Sequence, residues 1–262
     1  KELDAWVDAR KGWMLVEEAP YLLVIQTDKR KLGKEVARWL EGMGDMFKKA
    51  HEGGIGNPAP RIVRLYADEG GWRAAEKARG ITQVGWAAGD REVTGYLALE
   101  SYWTSWKSWI NEPLFEQFWA WEFPGLRPDA WYRKGFGAYY GSVSPGTRGA
   151  GAQDPWFQVY NVTRYLEGNT LPGPGDLIGM SDAQFIDTST DPEARARNVT
   201  GSWSLVHFLE DTRRRKWRRL PATYLQALVE TRDADRARSA AFTGLDWIAF
   251  ESAWREHVQR IP

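Results

Sequence analysis

Several sets of residues in this chain have the types and spacing to do chemistry. In the run Leu114-Phe-Glu-Gln-Phe-Trp119 a lone carboxylate, Glu116, stands among aromatics. On a helix Phe115 and Trp119, four apart, lie one above the other, and Glu116, three before Trp119, falls in the same sector. Glu100, Glu116 and Glu122 are the carboxylates available to a hydrolase that works without a metal, although Glu116 and Glu122 are six apart on one predicted helix and point to different sides. The chain has three histidines, His51, His207 and His257, and no two stand at a ligand spacing. It has no cysteine, which excludes thiol catalysis, cysteine-zinc sites and disulfides. Trp103, Trp106 and Trp109 recur every third residue with polar residues between them. They read either as an aromatic platform for sugar or peptide or as a packed helix edge. Arg213, Arg214, Arg215, Lys216, Trp217, Arg218 and Arg219 put six cations into seven residues. Such a run suits phosphate, an acidic protein or lipid headgroups, and it also suits a helix start solvated on all sides.

These residues need elements to hold them. Two short apolar runs, Trp13-Met-Leu-Val16 and Tyr21-Leu-Leu-Val-Ile25, predict a β-hairpin over 13–27. Leu32, Val36, Leu40, Met43, Phe47 and Ala50 recur at helical spacing over 31–50, and His51-Glu-Gly-Gly-Ile-Gly-Asn-Pro58 stops that helix. Arg61–Tyr66 alternates like a strand, 70–79 is a short helix, and 81–86 and 92–99 read as two further strands. Beyond about residue 103 the pattern turns helical, with helices over 112–123, 129–141, 155–167, 193–210, 214–231 and 244–259. Gly- and Pro-rich loops occupy 141–154 and 168–192. Strands first and helices second predict an α+β fold, with a small N-terminal mixed sheet carrying helices over 1–102 and a helical subdomain over 103–262.

Composition bounds the function classes. The 35 basic and 35 acidic side chains cancel, so no global charge directs the chain to nucleic acid. No apolar run approaches the roughly 18 residues of a membrane span, which leaves peripheral association open. Sixteen tryptophans in 262 residues exceed what one core needs, and the surplus predicts that some face a groove or a partner.

The stretch from Leu114 to Tyr140 resembles the active-site region of the gluzincin, peptidase-MA-like zinc peptidases. Phe115-Glu-Gln-Phe-Trp119 fills the frame of their HExxH helix, and Lys134-Gly-Phe-Gly-Ala-Tyr139 fills the frame that opens their next helix. Gly201–Leu209 and Ala241–Trp254 also look like those proteins, so the resemblance covers nearly the whole chain. It implies a thermolysin-like minimal gluzincin architecture with Glu116 in the place of the catalytic base. It also puts Phe115, Trp119 and Lys134 in the three metal-ligand positions, and none of these side chains offers zinc a lone pair at neutral pH. Without zinc, Glu116 cannot by itself activate water or polarise a carbonyl.

The resemblance therefore implies a catalytically inactive peptidase-like protein with no metal and no cofactor, serving as a binding or scaffold subunit held by other proteins. A carboxylate-based hydrolase, with tryptophans stacking on sugar, and a zinc peptidase with relocated ligands are the alternatives. Glu116 and Lys134 are expected to face each other across the former metal position, an ammonium standing in for the metal charge. Trp103, Trp106, Trp109 and the basic run 213–219 are the expected contact residues. The chain begins at Lys1, and related exported proteins suggest the periplasm or the exterior as its location.

Overall fold

A computed structural model of the chain describes residues 2–77, 79–80, 85–87, 92–97, 106–145 and 156–261. The fold is mixed α and β. By its internal contacts the chain divides into two compact units, Lys1–Pro124 with Ser144–Gly146, and Gly125–Val143 with Thr147–Pro262. The sequence turns helical at 102–103, whereas the division by contacts falls at Pro124, because the first long helix after the strands packs on the sheet.

The first unit runs α1 (Glu2–Asp8), β1 (Trp13–Glu18), β2 (Tyr21–Gln26), α2 (Arg30–Ala50), β3 (Arg61–Tyr66), α3 (Glu69–Lys77), β4 (Gly85–Ala87), β5 (Glu92–Tyr96) and α4 (Trp106–Glu122). The strands form one sheet in the order β1-β2-β3-β5-β4. β1 and β2 are the predicted hairpin, antiparallel from Trp13↔Gln26 to Glu18↔Tyr21. β2, β3 and β5 run parallel, and β4 returns antiparallel to β5. Parallel strands need a crossover, and α2 supplies it between β2 and β3. Its apolar stripe, Val36, Leu40, Met43 and Phe47, is fully buried. α4 packs on β4, β5 and α2. Gly95 of β5 makes the close approach to α4 possible, since a Cβ there would stand 2.0 Å from the indole of Trp109.

The second unit is helical throughout its described residues. It contains α5 (Ala130–Tyr140), α6 (Trp156–Glu167), α7 (Pro174–Gly179), α8 (Asp182–Ile186), α9 (Ala194–Asp211), α10 (Arg215–Arg218), α11 (Leu220–Thr231), α12 (Ala234–Phe242) and α13 (Trp247–Val258). α9 is the centre of this unit. Every residue from Thr200 to Leu209 is buried, as expected of a helix apolar on all sides. α5, α6, α7, α8, α10 and α13 all lean on it. The single helix predicted over 214–231 is in fact two. Pro221 has no N–H to donate and its ring obstructs the preceding turn, so the chain restarts at Leu220 with proline in the first turn of α11. α7 and α8 lie within the stretch read as irregular, and α12 lies where no element was expected.

Candidate functional site

The residues from Phe115 to Trp119 lie on α4, a continuous helix. Phe115, Phe118 and Trp119 share a buried face, with Phe115 wholly inaccessible and Trp119 5% exposed. Phe47 of α2 packs against both Phe115 and Phe118 at 5.5 Å between ring centroids. Trp119 stacks on Phe123 at 4.6 Å. His51, just past the end of α2, closes the cluster, 5.1 Å from the Phe115 ring and 6.3 Å from that of Trp119. The sequence reading missed this histidine because it stands in a glycine-rich stop with no helical neighbour to pair with. Burial holds its imidazole far below the usual histidine range, at about 3, so the ring is neutral.

The carboxylates of α4 differ in their surroundings. Glu116 is half-buried. Glu122 is buried and committed. It forms an ion pair with Arg61, the first residue of β3, whose side chain is wholly inaccessible. Its other oxygen accepts from the backbone N–H of Gly56 at 2.8 Å, and its carbonyl accepts from Ile55 N–H at 2.9 Å. Glu122 thus fastens the 51–60 loop to the end of α4. Two glycines permit this. Gly56 adopts a left-handed φ of 65°, and a Cβ on Gly54 would come within 2.8 Å of the Glu122 side chain. A carboxylate held by an arginine and a backbone N–H is a structural anchor, which removes Glu122 from the carboxylates of the hydrolase alternative. Glu100 lies outside the described residues.

A second buried ionic cluster lies between β3, β5 and α3. Arg64 makes a bidentate contact to Glu92 (3.0 and 3.3 Å), Arg79 bridges Glu92 (2.6 Å) and Glu76 (3.0 Å), and the Tyr66 hydroxyl donates to Glu76 at 2.8 Å. Each carboxylate in this cluster has a cationic partner, and no reacting position stands open among them.

Lys134 is on α5. The start of that helix is held by Asp129, whose carboxylate takes a bidentate contact from Arg238 of α12, both bonds 3.1 Å, and whose N–H donates to the Tyr224 hydroxyl at 2.8 Å. Burial pushes the Asp129 carboxyl up despite this pairing. Gly135 is the contact point with α9, since a Cβ there would lie 2.7 Å from the Ser202 carbonyl oxygen. Lys134, next to it, is half-buried. Glu116 and Lys134 belong to the first and second units respectively.

The structure brings two of the histidines together. His207 on α9 and His257 on α13 meet with Nδ1 and Nε2 2.8 Å apart, and Asp211 lies 3.8 Å from the other nitrogen of His257. One ring must donate and the other accept, so a single proton lies between those two nitrogens. This pair is not legible in the sequence, because fifty residues separate its members and only the packing of α13 on α9 joins them. Even so, no group of three or more His, Cys, Asp or Glu side chains among the described residues could hold a metal ion.

The proposed contact residues divide. Trp106 and Trp109 are half-buried and face different neighbours. Trp106 lies edge-on to Trp39 of α2 at 5.9 Å, with Lys107 bridging their rings, and Trp109 lies over Gly95. They form a packed helix edge and not an open platform. Trp103 lies outside the described residues. In the basic run the six cations are exposed, but Trp217 is 1% exposed and packs on Phe208 and Phe250. Trp217 is therefore a core residue and not a surface contact, because α10 can dock on α9 only through its one apolar side chain. Trp247, 37% exposed and stacked on Phe242, borders a shallow groove with Ile178, Asp235 and Arg238.

No protein-family model and no curated protein matches the chain. Among the described residues no helix is long and apolar enough to cross a membrane.

Proposed function

We propose that this chain is a degenerate member of the gluzincin-like frame, with a thermolysin-like arrangement, and that it binds other proteins without hydrolysing them. The observation that carries this reading is the face of α4. Phe115 and Trp119 stand four residues apart on that face, and their rings are sealed into an aromatic cluster with Phe47, Phe118, His51 and Phe123. Zinc needs nitrogen, oxygen or sulfur lone pairs about 2.0–2.3 Å away, and a phenyl and an indole ring offer none. The one imidazole in the cluster is neutral and buried, and a single ligand does not make a site. Glu116, half-buried on the same helix, then has no activated water to deprotonate. On the strength of the resemblance we place the protein in the periplasm or outside the cell.

The test is a peptidase assay on the purified protein with unstructured casein fragments, run with added zinc and with a chelator. The expected result is no cleavage above the blank in either arm. Chelator-sensitive cleavage that disappears in Glu116→Gln would overturn the reading, since it would require a metal-activated water served by that carboxylate.

A further inference from the structure

The basic turn between α9 and α11 puts six cations into seven residues of a chain whose net charge is zero. Arg213, Arg214, Arg215, Lys216, Arg218 and Arg219 are all exposed. The ion pairs of this unit among the described residues draw their cations from α6, α9, α12 and the C-terminal segment, and none comes from the turn. Trp217 is driven inward between Phe208 and Phe250, with Arg214 stacked on it at 4.2 Å, so the turn is pinned from below while its charges fan outward. Arg218 acts electrostatically on Glu210, while the other five cations enter no ion pair among the described residues; grouped cations repel one another, and a partner that neutralises them gains that repulsion back.

We propose that this turn docks a carboxylate-rich segment of a partner protein, which names the chemistry of one contact in the binding role proposed above and rests on that reading. Two features favour an acidic peptide over a membrane surface. The only large apolar side chain of the run is buried, so nothing in it can enter the acyl region of a bilayer. Five of the six cations are arginines, whose planar forks match the carboxylates of glutamate and aspartate side chains two bonds at a time.

The experiment uses the full chain, a fluorescent polyglutamate peptide of about twenty residues, and phosphatidylserine-containing vesicles. The variants are Arg213→Gln/Arg215→Gln/Arg219→Gln, the same three positions changed to Lys, and a control, Arg236→Gln/Arg255→Gln/Arg260→Gln, which removes equal charge from cations already paired. Thermal unfolding confirms that each is folded. Peptide affinity should fall on the order of tenfold in the Gln variant and about threefold in the Lys variant, and stay within about twofold in the control. Vesicle binding equal to or tighter than peptide binding, and indifferent to Arg→Lys, would overturn the proposal in favour of a membrane surface. Binding of neither probe at low salt, or equal loss in the control, would leave the turn a solvated face. These failures would not touch the non-catalytic reading, which stands or falls on zinc and cleavage.

Discussion

Arg61 and Glu122 form a buried ion pair in the first unit. Both are buried, and the guanidinium has further N–H groups, Nε and Nη1, with no acceptor among the described residues. Its flat faces lie near the rings of Tyr21 and Phe118. Removing one partner strands a buried charge, so Glu122→Gln and Arg61→Met should each destabilise by about 3–5 kcal/mol. The double variant should cost clearly less than the sum in denaturant unfolding, and strict additivity would show that the two charges are not coupled. His51 makes a pH-dependent contribution of known sign. Its imidazole titrates near 6.5 when unfolded and near 3 when folded, so the unfolded chain binds the extra proton between those values. Stability from this residue is complete above pH 6.5 and falls by about 1.4 kcal/mol per unit as the pH drops towards 3. His51→Gln should flatten that limb, and a difference between wild type and variant that does not change with pH from 7 to 4 would contradict the buried neutral ring.

Close approaches between elements make sharper predictions than the elements themselves. α5 meets α9 at Gly135, where the blocking atom is a backbone carbonyl that cannot swing aside. Gly135→Ala should destabilise by about 1–3 kcal/mol, although alanine is the better helix former. An unchanged or raised Tm would mean that the helices part freely. Regular periodicity made much of the fold legible. β3 occupies the predicted span, the hairpin forms within the predicted 13–27, and α2, α5, α6 and α9 fall within a residue or two of their expected bounds. α4 begins six residues before the expected 112 and carries Pro113 inside it, where one backbone bond is given up. α7, α8 and α12 were not legible by period, being too short to show one. Their signals were local: Pro174 in the first turn, the Ser181–Gln184 capping box, and the Asp233 side chain accepting from two backbone N–H groups. The shared face of Phe115 and Trp119 was legible because both lie within one helix. The Glu122–Arg61 anchor and the His207–His257 pair were not, because each joins residues far apart in sequence.

Across the chain, the tryptophan excess proves to be mainly internal. Trp72, Trp119, Trp121, Trp131, Trp203, Trp217 and Trp254 are buried, and Trp247 is the one exposed tryptophan among the described side chains. The case for a partner therefore moves from the aromatics to the basic turn, whose six cations are exposed. α4 and α5 are each fixed within their own unit by buried contacts, α4 by the aromatic cluster and Glu122, α5 by Asp129 and Gly135. Such support would suit a working site, but in α4 it holds phenyl and indole rings. The most direct measurement is the zinc content of the purified protein after equilibration with micromolar zinc and removal of the free ion. The account predicts far less than one zinc per chain, with no change in Phe115→Leu or Glu116→Gln. One tightly held zinc per chain, lost when Glu116 or a neighbouring residue of α4 is replaced, would contradict it.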